Sequence, residues 1–82
     1  MPYIMPQQRE AIDLITPYGQ YGLLPIGSLN YLITNILLAK DPKSYTDYNA
    51  LIGVIECCKL EFYRRAVAAY EDEKIAENSD VY

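Results

Sequence analysis

Between Glu56 and Arg65 the chain gathers the side chains best suited to chemistry: Glu56, Lys59, Glu61, Tyr63, Arg64 and Arg65. On a helix, Glu61 and Arg65 stand four apart with the acid first, the favourable order for an intrahelical pair. Glu56, Lys59 and Tyr63 share a face at spacings of three and four. Lys59, Arg64 and Arg65 can meet a phosphate, and the rings of Tyr63 and Tyr70 can stack on a base or sugar. The same run also reads as a solvated face with intrahelical pairs, the commoner fate of surface charge. Tyrosine widens the binding option. Nine tyrosines stand against one phenylalanine, and a ring with a hydroxyl suits places half buried and half wet, such as subunit interfaces and nucleotide pockets.

Missing residues narrow the chemistry. With no histidine, neither Ser-His-Asp nor Cys-His machinery can form, and zinc would have to rely on two vicinal thiols and carboxylates. No Gly-rich phosphate loop of either common spacing occurs. Catalysis is not expected, and neither a metal nor a cofactor is implied. A formal charge of -4 without a basic stripe argues against a nucleic-acid polymer as partner. An acidic mimic of DNA is weakened because the charge is modest and collects at one end. Residues 66–82 carry Lys74 against Glu71, Asp72, Glu73, Glu77 and Asp80.

Cys57 and Cys58 are adjacent, too close for an unstrained disulfide, so both read as free thiols packed in an apolar turn of a reducing compartment. The opening Met1 to Pro6 lacks a basic and an apolar stretch, which argues against a secretory signal. Leu29 to Ala39 falls short of the ~20 residues of a membrane span. Together these point to the cytoplasm and away from membranes.

Three segments must position these residues, all helical, so the expected fold class is all-α: two short helices and one long C-terminal helix. The first covers Gln7 to Thr16, between Pro6 and Pro17. Tyr18 to Gly27, with three glycines and a proline, reads as an apolar loop. There Tyr18, Tyr21, Leu23 and Leu24 either cap a core or form a lid or subunit contact. Ser28 reads as an N-cap for a second helix, in which Leu29, Leu32, Ile33, Ile36 and Leu37 recur at intervals of three and four. Lys40 suits its negative end and Pro42 stops it.

The third helix opens at Ser44 or Thr46 and runs to about Glu77, with Leu51, Ile55, Cys58, Phe62, Ala66 and Ala69 as its apolar line. Ala50 to Ile55 has no polar side chain, so burial on all sides is expected there. Gly53 reads as the site of a close helix crossing. At ~1.5 Å per residue this helix is about 48 Å long, too long for the two short helices to cover. Either it breaks near Arg65 to Ala69, or another copy of the chain covers it. Self-association is the favoured outcome, with Leu51, Gly53, Ile55 and Phe62 at the interface. Residues 1–82 are expected to form one helical domain, with residues 70–82 as a partly frayed acidic tail in which Val81-Tyr82 can dock.

The strings GSLNYLITNILL, YNALIGVIECCKLEFYRR and VAAYEDEKIAENSDVY resemble a family of small uncharacterised proteins of tailed phages, prophages and bacteria, which begin with a start like Met1 to Ile4. The resemblance spans nearly the whole chain. Its members usually have Asp at the position of Ser28 and tend to have Gly at that of Ser79. The resemblance assigns no role to any residue. It implies a setting in which small oligomeric helical proteins act as inhibitors or as sponges for host nucleotide signals. A module that docks on a host or phage protein through Tyr18 to Ile26 and the acidic tail is the alternative.

Overall fold

A computed structural model describes residues 4–82; Tyr3 and the rest of the Met-Pro-Tyr start lie outside the described residues. The described chain is all-helical. In order come α1 (Pro6–Ile15), α2 (Tyr18–Tyr21), α3 (Ile26–Ala39), α4 (Tyr45–Phe62), a π-turn (Tyr63–Val67) and α5 (Ala68–Asn78). The described chain falls into two compact units, residues 4–48 and 49–82, with the boundary in the first turns of α4.

In the first unit, α1 starts with Pro6, whose fixed φ suits a first helical position. The Met5 amide donates to Gln8 Oε1 at 2.9 Å, and the Thr16 hydroxyl donates to the Ile12 carbonyl at 2.7 Å. The expected loop contains one helical turn, α2. Pro17 stops α1, and its carbonyl then accepts from the Gln20 amide at 3.0 Å to start that turn. The Tyr18 and Tyr21 rings meet edge to face, with centroids 6.4 Å apart.

α3 begins three residues before Leu29, so Ser28 is not its N-cap. Pro25 holds that place, with φ -58 and ψ 152. The Ser28 amide donates to the Pro25 carbonyl at 2.9 Å inside the first turn. Amides of a first turn need no intrahelical partner, and Gly27 is tolerated there despite its low helix propensity. At the other end Asp41 takes a left-handed φ of 54, a conformation Asp accepts better than most residues. Its carboxylate pairs with Lys43 Nζ at 3.1 Å, and Pro42 ends the segment.

Of the two caps open for the long helix, Ser44 is used: its Oγ accepts from the Asp47 amide at 3.2 Å, while Asp47 Oδ2 accepts from the Lys43 amide at 3.0 Å. The Lys43 amide, and then Ser44, hold the Asp47 carboxyl below its ordinary value of 3.8. A depressed carboxyl supports the helix above that value and stops doing so as pH falls through the folded value. Wild type should therefore be more helical than Asp47→Asn at pH ~7, and circular dichroism should find them equal near pH ~2. Ser44→Ala should lose about 1 kcal/mol at both pH values.

From Tyr45 the helix continues to Asn78, about 50 Å. It does not break near Arg65 to Ala69. Helical dihedrals persist through Phe62, Val67 and Ala68, and the π-turn inserts one residue into the repeat. α5 ends at Asn78, where Ser79 turns with φ 71 and ψ 152, a region almost reserved for glycine.

No described residue is buried. The expected lines are only half covered, at Leu29, Leu32 and Leu37 on α3 and at Leu51 and Ile55 on α4. Ile52 keeps 66% of its surface in solvent and Phe62 68%. The expected all-round burial of Ala50 to Ile55 is absent, because residues 49–82 form one helical stretch with no second helix in their own unit. For the same reason the thiols are not packed away: Cys57 is half-buried and Cys58 exposed.

Candidate functional site

The charged run occupies the last two turns of α4 and the π-turn. Glu61 organises it: its Oε1 accepts from Arg64 Nη2 at 2.6 Å and from Arg65 Nε at 2.5 Å. The second contact is the pair four apart expected from the spacing, and Arg64 joins it three apart. Two guanidinium groups thus share one carboxylate oxygen. Lys59 pairs with Glu56 at 2.9 Å, so it belongs to a separate ion pair on the same helix.

Tyr63 makes the contact that spacing did not suggest. Its hydroxyl donates to Glu71 at 3.2 Å to Oε1 and 3.4 Å to Oε2, across eight residues. In a regular α-helix, at about 100° per residue, positions seven apart align and positions eight apart do not. One residue inserted at the π-turn moves Glu71 into the aligned place. Glu71 accepts the phenol's hydrogen bond and adds its own charge, which together push the Tyr63 hydroxyl above its ordinary value of 10.0. Tyr63 is therefore neutral at physiological pH and acts as a donor.

Tyr70 lies about two turns beyond Tyr63, with Lys74 Nζ 5.4 Å from its ring centroid. The structure thus brings Arg64 and Arg65 together on Glu61 and ties Tyr63 to α5, while Lys59 and Tyr70 keep partners of their own. Lys59, Arg64 and Arg65 line neither of two shallow hollows on the surface. One, about 420 Å³, lies against Glu10, Asp13 and Leu14. The other, about 490 Å³, is lined by Glu71, Lys74, Ile75, Asn78 and residues 79–82. This second hollow forms where the backbone turns at Ser79, and its sequence trace is the Val81-Tyr82 end after a polar stop.

Among the described residues no cluster of three or more Cys, Asp or Glu is placed to hold a metal ion. Nor is any of the described helices long and apolar enough to cross a membrane. What the run offers is a set of exposed donors: two guanidinium groups, an ammonium and a neutral phenol. The Lys59–Glu56 pair is exposed on both sides and worth about 0–1 kcal/mol, whereas the Glu61 carboxylate that Arg64 and Arg65 share is only 21% exposed.

No curated protein and no solved structure matches the chain. A family model for a domain of unknown function, DUF6899, matches residues 1–81. With nearly every residue inside that match, the chain belongs to the DUF6899 family.

Proposed function

We propose that the protein is a non-catalytic binding protein that works as a helical homo-oligomer and takes a small anionic ligand of the nucleotide class at a subunit interface. The observation that carries the assembly is that no described residue is buried, although half of the composition is hydrophobic. The ligand is supported by Arg64 and Arg65, which meet on one carboxylate oxygen of Glu61, and by the Tyr63 hydroxyl, a donor held on Glu71 of α5. Lys59 supplies a further cation, and Tyr70 a ring for stacking. In the phage or prophage setting implied by the resemblance, such binding sequesters a host immune signal inside the host cytoplasm.

A melting screen against cyclic dinucleotides, cyclic trinucleotides and cyclic ADP-ribose isomers tests this, because a ligand that binds only the folded state raises the melting temperature. One class should raise it, and Arg64→Ala with Arg65→Ala should weaken that ligand by at least about tenfold. If no nucleotide moves the transition, the ligand assignment fails. A second reading, docking on a host or phage protein, is favoured by Leu23 and Ile26, which are 84% and 82% exposed around Pro25.

A further inference from the structure

We propose that the helix running from α4 into α5 has two registers, and that the hydrogen bond from Tyr63 to Glu71 is the latch that selects the one with the π-turn. Opening the latch lets the inserted residue pass into regular α-helix and turns α5 by about 100° relative to α4. The device belongs to the frame of the candidate site and does not depend on a ligand.

Nothing in the turn's own residues imposes it. Tyr63–Val67 holds neither proline nor glycine, and Arg and Ala are among the strongest helix formers. None of the five residues is buried, so tight packing does not force an extra residue on the backbone. Yet the Ala68 amide donates to the Tyr63 carbonyl, five residues back, where an α-helix would use the carbonyl of Arg64.

The acids of α5 do not choose between the registers. With the π-turn, Arg64 stands on the side of Asp72 and Arg65 on that of Glu73, eight residues on; a slip of one residue puts them on the sides of Glu71 and Asp72, seven on. Three consecutive acids thus leave each arginine with an acid on its side in both forms. The contacts of Arg64 and Arg65 with Glu61 use spacings of three and four, which an ordinary helix also offers.

Tyr63 does choose. Its hydroxyl reaches Glu71 at 3.2 and 3.4 Å with the residue inserted. In an uninterrupted helix position 71 stands about 80° away from Tyr63, and Tyr70 takes the aligned place. The closed register therefore gives the phenol a charge-assisted bond to a carboxylate, which the open register lacks. Because the bond is exposed, water and other polar groups can compete for it, so the latch can open. Opening frees the Tyr63 hydroxyl and brings Tyr63 and Tyr70 onto one side of the helix; closing separates them. A π-turn inside an α-helix is a common device of functional sites.

Couplings across hydrogen bonds, measured by nuclear magnetic resonance on the isotope-labelled full chain without ligand, read the register directly, because they name the carbonyl that accepts from each amide. Wild type should couple the Ala68 amide to the Tyr63 carbonyl. In Tyr63→Phe and in Glu71→Ala the partner should shift to the Arg64 carbonyl, and contacts of the ring at position 63 should move from residue 71 to Tyr70. Tyr70→Phe, which leaves both latch groups in place, should keep the wild-type pattern. The proposal is overturned if wild type already couples Ala68 to Arg64, if either latch variant keeps the partner at position 63, or if Tyr70→Phe loses it. Loss of helix beyond residue 67 in both latch variants overturns it as well, since the bond would then hold the helix and not its register. No ligand takes part, so a failed nucleotide screen leaves the latch standing, and a failed latch leaves the screen standing.

Discussion

Ala50→Pro should remove most of the cooperative helical transition and the ability to self-associate. Ala50 lies inside α4, beyond the first turn, so its amide belongs to the intrahelical ladder. Proline there deletes that bond and clashes with the preceding turn, costing about 3 kcal/mol or more. A domain of this length has only some 5–15 kcal/mol of stability to lose. The position lies off the apolar line, which makes the loss a measure of the helix as a frame. Gly53→Ala should act in the opposite direction. A methyl group added at Gly53 meets nothing within 4 Å, so the gain in helix propensity, about 1 kcal/mol, should appear undiminished in a urea or thermal melt. Loss of stability from Gly53→Ala would instead place a close helix crossing at that residue.

The second large effect concerns dilution. Where a fold buries its apolar side chains only against another copy, unfolding and dissociation are one reaction, and stability carries a concentration term. For a dimer of chains this long, ordinary unfolding enthalpies give a melting temperature that falls by about 4 °C for each tenfold dilution. Helicity should fall with it, because a lone amphipathic helix is marginal in water and draws most of its stability from packing its apolar face. The effect should be stronger in Phe62→Ala, which removes the largest exposed ring of the apolar face. There the folded form should vanish at concentrations where wild type persists.

Much of the frame was legible from the residues themselves. The intervals of three and four at Leu29 to Leu37 and at Leu51 to Phe62 mark helices because apolar side chains must share one stripe. Pro17 and Pro42 each end a segment, and Ser44 caps the long helix. Ser28 misled because a cap residue signals a helix start only when nothing upstream can begin one, and Pro25 does so three residues earlier. The single turn at Tyr18–Tyr21 was hidden by its glycines.

The π-turn left no mark in composition. It is visible only in what it aligns, Tyr63 with Glu71 across eight residues. Within the candidate site, Glu61 with Arg65 could be read from spacing, since four residues is one turn. The Tyr63 contact could not, because its geometry depends on a register that regular helical counting does not contain. The hollow beside Ser79 depends on one positive φ, which the serine there disguises.

The most direct measurement is a pair of thermal melts of the wild-type chain, followed by far-ultraviolet circular dichroism, at about 2 and about 200 µM. The expected result is one cooperative transition at each concentration, with the dilute sample melting roughly 8 °C lower. Coincident cooperative melts would contradict the claim that the chain completes its fold by assembling, since they would mean that a single copy buries its own apolar faces.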